Sequence, residues 1–217
     1  MSRAARFGIA IALAGWAMIG IAIWLAWPAI GQMADPHRPK TCYIPSESML
    51  PTLHVYDRLR PREAVEQDLR RGVVIVSQAP SAVRVARIVG VAGDVIALHA
   101  GILAVNGHSA VRRLGPGPLI DGAPTQLQAE RLPGEAGEHR LLDAGPSIGD
   151  EFGPVSVPAD YLFVLGDNLD RAADSRYQPD QLGVGMVHIS AAIGIVDRLL
   201  WSAGFHDLGR PIDAVRR

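Results

Sequence analysis

Residues 44 to 53 contain two serines separated by one residue, in the sequence Ile44-Pro45-Ser46-Glu47-Ser48-Met49-Leu50-Pro51-Thr52-Leu53. A serine hydroxyl attacks an amide only if a nearby base removes its proton. A lysine can be that base when apolar burial lowers the pKa of its amine. The only lysine, Lys40, could approach the serines only if its own segment folded back. All other basic residues are arginines, which stay protonated and offer no lone pair.

Histidine is the other side chain that could accept such a proton. His54 is the nearest histidine in sequence to the two serines, but the intervening turn does not fix it within about 3 Å of a hydroxyl. A surface position after the turn explains it equally simply. Five further histidines have no motif around them: His99, His108, His139, His188 and His206. The sequence therefore identifies no base for a serine nucleophile.

The segments around these serines have the pattern of β-strands, because short runs rich in valine and isoleucine alternate with glycine, proline and Asx turns. The expected strands are Asp57–Arg60, Val73–Ser77, Ala82–Val91, Val95–Ala100, Ile102–Val105, Tyr161–Leu165 and Met186–Leu199. Gly93-Asp94 and Asn106-Gly107 are expected to form turns. The pattern predicts a mainly β fold built on antiparallel sheet.

The region from residue 107 to residue 153 has a different composition, rich in Gly, Pro, Glu and Arg, with weak periodicity. It predicts an insertion that is partly strand and partly loop. The β core then consists of residues 42–106 and 154–201. Residues 202–217 are polar, with isolated apolar positions, and are expected to form a C-terminal tail.

The N-terminal region predicts a membrane anchor. Residues 7–30 carry no charge and include three tryptophans, and their 24 positions are enough to cross a bilayer as a helix. Arg3 and Arg6 in the preceding residues 1–6 predict a cytoplasmic N-terminus, by the positive-inside rule. Residues 31–41 then form a linker, and the β region lies across the membrane, in contact with the lipid bilayer.

Composition limits the other classes of function. The formal net charge of −1 provides no basic field for nucleic acid, which is therefore not an expected partner. The sequence contains no CxxC, no histidine pair with ligand spacing and no phosphate-binding glycine loop, so we expect no metal and no cofactor.

Four segments resemble bacterial signal peptidase I, in the order in which that family has them. They are Pro45-Ser46-Glu47-Ser48-Met49-Leu50-Pro51-Thr52-Leu53, Arg71-Gly72-Val73-Val74-Ile75-Val76, Arg87-Ile88-Val89-Gly90-Val91-Ala92-Gly93-Asp94, and Gly166-Asp167-Asn168-Leu169-Asp170-Arg171-Ala172-Ala173-Asp174-Ser175-Arg176. Each segment alone is a weak signal, whereas four in order behind an N-terminal anchor are specific. The resemblance implies a signal-peptidase-like antiparallel β-sheet domain behind one transmembrane helix in the bacterial plasma membrane.

The resemblance implies that Ser48 is the nucleophile and that Ser46 contributes its hydroxyl to the oxyanion hole. In the family the general base is a lysine immediately before the arginine of the third segment, and this chain has Ala86 there. A serine that usually supports the lysine is replaced by Ala172. The resemblance therefore implies a catalytic serine whose base and base-supporting hydroxyl have both been lost.

The resemblance also implies a peptide-binding site and a structural brace. The expected substrate-binding residues are Ile44, Pro45, Met49, Leu53, Arg84 and Val85, and the strand 82–87 would pair with an extended substrate. Arg84 stands at a position where the signal peptidase I family often has an aromatic residue. The expected brace consists of Arg87, Asp167, Asp174 and Arg176, with Asp167 a partner for Arg87.

Two hypotheses of function follow. The first is a membrane-anchored serine endopeptidase that removes signal peptides from exported preproteins, with its activity in question because the lysine is missing. The second is a catalytically silent homologue, a pseudoenzyme that binds signal peptides or regulates an active peptidase or the translocation machinery. A purely structural membrane protein is a third possibility, which the retained Ser46 and Ser48 disfavour.

Overall fold

The computed structural model describes residues 41–79, 82–135, 137–202 and 212. These residues are mainly β, and their sheets contain only antiparallel strand pairs. This confirms the expected mainly β fold with antiparallel sheets. The predicted cytoplasmic N-terminus, anchor and linker lie outside the described residues, except for Thr41. Among the residues that are described, no helix is long and apolar enough to cross a membrane.

Fifteen strands are found in the described part of the chain. They are β1 (Cys42–Tyr43), β2 (Arg58–Leu59), β3 (Val74–Gln78), β4 (Val83–Gly90), β5 (Val95–His99), β6 (Ile102–Val105), β7 (His108–Ser109), β8 (Val111–Ile120), β9 (Ala123–Arg131), β10 (His139–Asp143), β11 (Phe152–Ser156), β12 (Tyr161–Leu165), β13 (Val187–His188), β14 (Ala192–Ile195) and β15 (Leu199–Trp201). Single 3₁₀ turns occupy Glu66–Asp68, Ile148–Asp150, Leu169–Arg171, Pro179–Gln181 and Ile189–Ala191.

The central sheet has five strands in the order β13-β12-β4-β3-β14. Two of its interior strands, β3 and β4, are rich in β-branched residues, as expected of strands whose faces are both covered. β4 pairs with β3 from Val83 to Arg87, but it pairs with β12 only from Arg87 onward. The second edge of residues 83–86 therefore has no strand beside it among the described residues.

Apolar side chains cover both faces of β4 in its buried part. On one face Val85 packs against a cluster that includes Ile44, Met49 and Leu53. On the other face Ala86 belongs to a cluster with Ile75 and other apolar residues of the central sheet. This alternation follows from the two-residue period of a strand. It also places Ser48, next to Met49, over one end of β4.

The region predicted as an insertion contains the longest strands of the described chain. β8, β9 and β10 form their own three-stranded sheet, with β8 at its edge. The run Gly115-Pro116-Gly117-Pro118 lies inside β8, where the register shifts between Pro116 and Leu119. Proline donates no hydrogen bond and is tolerated on an edge strand, so β8 can extend through this sequence. The region therefore forms a long hairpin of β8 and β9 although its apolar periodicity is weak.

The expected single strand from residue 186 to residue 199 is wrong. This segment is divided into β13, a 3₁₀ turn at Ile189–Ala191, β14 and the start of β15. The His188 ring accepts a hydrogen bond from the Ser190 N–H at 3.2 Å and so caps the turn. β14 then has a register shift between Ala192 and Gly194. Local capping and a bulge therefore interrupt what the apolar pattern presents as one strand.

The predicted C-terminal tail is described only at Ser202 and Ile212. Both residues are buried, and the Ile212 N–H donates to the Asp197 carbonyl at 3.1 Å. Ile212 belongs to the apolar cluster of Met49 and Leu53. This part of the tail thus contributes to the core that supports the serine segment.

Candidate active site

The two serines occupy a turn between β1 and β2. The Leu50 N–H donates to the Glu47 carbonyl and the Leu53 N–H donates to the Met49 carbonyl, which closes the turn. Met49 and Leu53 are fully buried and anchor it in the core. Ser48 is half-buried and Ser46 is exposed. The apolar residues of the segment therefore hold its polar residues at the surface.

The Ser46 and Ser48 hydroxyl oxygens lie 3.1 Å apart, within hydrogen-bond distance, and either can be the donor. The Ser48 N–H has no hydrogen-bond acceptor among the described residues. A free N–H beside a hydroxyl is the arrangement that could stabilise a developing oxyanion. The pair thus places two hydroxyls and one free backbone N–H at the same point.

The loop after β12 holds the serine turn in place. The Asn168 N–H donates to the Ser48 carbonyl at 3.0 Å, and the Asn168 amide donates to the Glu47 carbonyl at 3.1 Å. Arg171 adds an ion pair of 2.6 Å to the Glu47 carboxylate. Gly166 makes the approach possible, because a Cβ there would lie 2.5 Å from the Ser48 carbonyl oxygen. These contacts join the first and fourth sequence segments around Ser48.

The ion pair expected between Arg87 and Asp167 is present. The Arg87 guanidinium donates two hydrogen bonds to the Asp167 carboxylate, at 2.8 and 2.6 Å. Both side chains are almost completely buried. The Thr52 hydroxyl also donates to Asp167, and Arg87 donates to the Gly72 carbonyl at 2.6 Å. This paired geometry satisfies charges that would be costly to bury alone.

Asp174 and Arg176 form a second buried pair. The Asp174 carboxylate accepts four hydrogen bonds, from the Gly166 N–H and from the Arg176 backbone and guanidinium. Burial acts to lower the pKa of Arg176, but Asp174 raises it above its ordinary value. Because its oxygens are all engaged, the Asp174 carboxylate is poorly placed to take a proton from Ser48.

The position expected for the base is apolar. Ala86 and Ala172 are both buried, with 6% and 8% of their surfaces exposed, and both line the cleft beside Ser48. An ideal Cβ on Gly166 would lie 2.4 Å from the Ala172 Cβ, so the loop packs tightly here. Small apolar side chains need no polar partner when buried. The structure therefore accommodates the two alanines in a closely packed wall.

The cleft has a volume of about 530 Å³. It is bordered on one side by the residues around Ser48 and on the other by residues 83–86 of β4, whose second edge is free. Of the expected substrate-binding residues, Ile44, Pro45, Met49, Arg84 and Val85 line the cleft. Leu53 does not, and instead it is buried in the cluster below. The cleft can hold an extended chain beside β4.

The cleft-lining residues that the structure describes include no lysine and no histidine. His54 is not among them, although its N–H donates to the Asp57 carboxylate at 2.8 Å. Cys42 does line the cleft, and burial raises the pKa of its thiol. Thr41, which follows Lys40 in the sequence, also lines it. The last residue of the expected linker, Thr41, is thus part of the cleft wall.

Sequence reasoning missed several residues that shape the cleft. Gly166 and Asn168 were noted only as part of a motif, and Arg171 was given no role. Asp121 was also missed, and its carboxylate forms an ion pair with Arg171 at 2.6 Å. Asp121 and Gly122 both have positive φ and form the tight turn between β8 and β9, a hairpin signal that the sequence contains. The hairpin tip thereby reaches the rim of the cleft.

Comparison with known proteins agrees with this geometry. The family model described as signal peptidase, peptidase S26, matches residues 13–201. The chain is 30% identical over 135 residues to signal peptidase I of Bacillus amyloliquefaciens, covering 61% of this chain and 63% of that protein. It is 29% identical over 222 residues to a probable signal peptidase I of Mycobacterium leprae, covering 83% and 73%.

A third relative, signal peptidase I T of Bacillus subtilis, is 29% identical over 155 residues, covering 70% of this chain and 68% of that protein. The chain thus spans less than two thirds of the Bacillus amyloliquefaciens protein and more of the other two. Because the family model covers most of the chain, and the relatives share this description, the chain belongs to the signal peptidase I family.

Proposed function

We propose that this protein binds the signal-peptide region of exported preproteins in the cleft beside Ser48, and that it cleaves them far more slowly than a relative with a lysine base. The observation that carries the proposal is the contrast within one cleft. The serine pair, the free Ser48 N–H and the open edge of β4 are present, whereas Ala86 and Ala172 are buried and apolar.

Binding is supported by the unpaired edge of residues 83–86. An extended peptide can add to such an edge through main-chain hydrogen bonds, with alternate side chains pointing into the cleft. Val85, Met49 and Ile44 provide an apolar surface there. Small apolar side chains, as in an Ala-x-Ala sequence, suit a cleft of this kind. We assign Ile44, Pro45, Met49, Arg84 and Val85 to peptide binding, and Leu53 to support beneath them.

Slow cleavage is supported by the absence of a base from the cleft-lining residues that the structure describes. In the described part of the chain the one hydrogen-bond partner of the Ser48 hydroxyl is the Ser46 hydroxyl, and one neutral hydroxyl cannot act as the base for another. Loss of a general base typically costs about 10²–10⁴-fold in rate. We therefore assign Ser48 as a retained but unactivated nucleophile and Ser46 as an oxyanion donor.

The decisive experiment compares cleavage of an Ala-x-Ala preprotein by the detergent-solubilised full chain and three variants. They are Ser48→Ala, Ala86→Lys, and Ala86→Lys combined with Ala172→Ser. We expect no measurable difference between wild type and Ser48→Ala, and about 10²–10⁴-fold faster cleavage by the double variant. The apolar cluster around residue 86 should keep a lysine amine neutral. Robust cleavage by wild type that Ser48→Ala abolishes would refute the proposal.

One observation favours a second candidate, an active endopeptidase with a base from outside the described residues. Thr41 lines the cleft, and Lys40 is the residue before it. Cleavage by Lys40→Met should be compared with Arg38→Met, which removes a charge from the same linker. If wild-type cleavage is fast and Lys40→Met abolishes it while Arg38→Met does not, the protein is an active endopeptidase that uses Lys40 as its base. Equal rates for both variants would exclude Lys40 as the base.

The proposal includes the membrane location. Residues 7–30 serve as the anchor, residues 1–6 remain in the cytoplasm, and the β domain with its 107–153 insertion lies on the outer side. Family membership and the positive-inside pattern of Arg3 and Arg6 support this orientation. Protease added to intact spheroplasts should digest the β domain, and protection until lysis would contradict the orientation. In that position the protein could also contact an active peptidase or the translocation machinery.

A further inference from the structure

Arg84 is a charged residue of the cleft that makes no ion pair within the described part of the chain. It lies on β4 two residues before Ala86, on the same face of the strand, and it lines the cleft. Two residues along a strand separate the two positions by about 7 Å. Its side chain is therefore near the reaction centre but displaced from it along the direction of a bound extended peptide.

The Arg84 guanidinium has no carboxylate partner among the described residues. The Arg84 Nε–H is buried and donates to no hydrogen-bond acceptor in the described part of the chain, although the side chain as a whole is half-buried. Leaving a buried donor without an acceptor is costly, and the great majority of such donors are paired. A ligand that carries a hydrogen-bond acceptor could pair with this N–H and so remove the free-energy cost of leaving it without a partner.

The other charges that line the cleft are already compensated. Asp174 is saturated by Gly166 and Arg176. Arg171 is paired with both Glu47 and Asp121. Among the cleft-lining residues that the structure describes, Arg84 is therefore the one positive charge without an ion-pair partner. Guanidinium is the side-chain group best matched to a carboxylate, because its N–H donors form a planar fork.

We propose that Arg84 is a carboxylate-binding residue of the cleft, which selects peptides that bring a negative charge next to the position of Ala86. This inference rests on the proposed peptide-binding function and names the chemistry of its ligand. The carboxylate has two possible sources. It is the free C-terminus of an already cleaved signal peptide, or an aspartate or glutamate side chain within an uncleaved one.

The test uses three fluorescently labelled peptides that share an apolar N-terminal part. One ends in Ala-Gln-Ala with a free carboxylate, the second ends in Ala-Gln-Ala amide, and the third ends in Ala-Glu-Ala amide. Anisotropy titration of the full-length protein in detergent gives Kd for each. We expect at least one carboxylate-bearing peptide to bind about 10-fold more tightly than Ala-Gln-Ala amide, as for a hydrogen-bonded charge pair. Preference for the first identifies the free C-terminus, and preference for the third identifies a side chain.

Arg84→Met should remove that preference, so that the three peptides bind this variant with nearly equal Kd. Arg84→Lys should keep part of it, and Arg60→Met, an exposed arginine outside the cleft, should keep all of it. Added salt should weaken the preference, since it screens the charge pair. The wild-type comparison needs no variant, so misfolding of Arg84→Met cannot obscure the result.

The outcomes distinguish the two proposals. Equal affinity of wild type for all three peptides overturns the role of Arg84, while binding itself still supports the proposed function. Loss of the preference in Arg60→Met as well as Arg84→Met also overturns that role, because the effect would then reflect the overall charge. Failure of every peptide to bind overturns the proposed function and the inference together.

Discussion

The two sides of the cleft differ in how they are built. On the serine side, polar contacts converge from several segments: Asn168 and Arg171 hold the turn, and Arg87 with Asp167 lies beneath it. On the other side, at Ala86 and Ala172, the wall is apolar and needs no such contacts. The contacts that hold the serine turn are therefore structurally separable from the wall at which the proposed mechanism would need a base. A base can be absent from that wall without disturbing those contacts.

The largest effect is expected from breaking the buried ion pair of the serine side. Arg87→Met leaves the Asp167 carboxylate buried without its partner, which typically costs about 3–5 kcal/mol in the free energy of unfolding. Urea denaturation of the full chain in detergent measures it. Arg62→Met is the control, because Arg62 pairs with Asp68 near the surface and should cost no more than about 1 kcal/mol. Equal costs for the two variants would show that the serine side does not depend on this pair.

A smaller effect is expected at the point where the two sides meet. In Gly166→Ala the new Cβ would lie 2.5 Å from the Ser48 carbonyl oxygen and 2.4 Å from the Ala172 Cβ, so the serine turn must shift. Overpacking of this kind costs about 1–3 kcal/mol, and peptide binding should weaken as well. Gly115→Ala is a matched control, since its Cβ would make only an ordinary contact of 3.6 Å. Unchanged peptide affinity in Gly166→Ala would separate the loop from the cleft.

A pH-dependent effect is expected from the buried cluster of His139, Glu130 and Glu135. Burial acts to lower the pKa of His139, and Arg87 acts in the same direction, but the Glu130 and Glu135 carboxylates, 3.3 and 3.4 Å from the imidazole nitrogens, raise it above its ordinary 6.5 together with the charge of Asp167. Burial acts to raise the pKa of Glu130, but His139 and Arg112 lower it below its ordinary 4.5.

A raised histidine pKa stabilises the fold fully below the unfolded value and loses that contribution as pH rises through the folded value. A lowered glutamate pKa stabilises above its unfolded value and loses that contribution as pH falls through the folded one. The cluster should contribute most to the free energy of unfolding between about pH 4.5 and 6.5. Outside that range, each proton bound or released should change this free energy by at most about 1.4 kcal/mol per pH unit. Unfolding measured from pH 4 to 9 in wild type and His139→Gln tests this; identical profiles would contradict it.

The smallest effect is expected on the exposed face of the hairpin. Leu119 is 70% exposed on β8, so Leu119→Ser should change the free energy of unfolding by no more than about 0.5 kcal/mol. Peptide affinity should not change, because Leu119 does not line the cleft. Thermal unfolding and the anisotropy titration together measure both quantities. A marked loss of affinity would mean that the hairpin takes part in binding.

Much of the fold followed from local sequence patterns. β6 and β12 have the expected bounds. β3 and β4 differ from expectation by one residue at each end, and β5 differs by one residue at its C-terminal end, because apolar runs with turn residues at both sides define such strands well. The hairpin of β8 and β9 was not expected as such, because proline and glycine are normally breakers. Only the position of β8 at a sheet edge makes that sequence compatible with a strand.

The candidate site was predicted in part. The Ser46-x-Ser48 segment, the alanines at positions 86 and 172, and the pairing partners Arg87 and Asp167 could all be named from motif order. Leu53, which the sequence predicts to bind substrate, is fully buried and does not line the cleft, since the turn directs its side chain into the core. Gly166, Asn168 and Asp121 were missed, because their contacts join segments that are distant in the sequence.

The sequence by itself determined the residue types available for chemistry: serines in a recognisable segment, alanines at two expected polar positions, and a single lysine. It also determined the β character, which follows from local periodicity. Only the tertiary structure decided the pairing of the other charges that line the cleft. Arg171 finds partners in two distant segments, at Glu47 and Asp121, whereas Arg84 finds none in the described chain, and pairing of this kind depends on distances that no one-dimensional pattern contains.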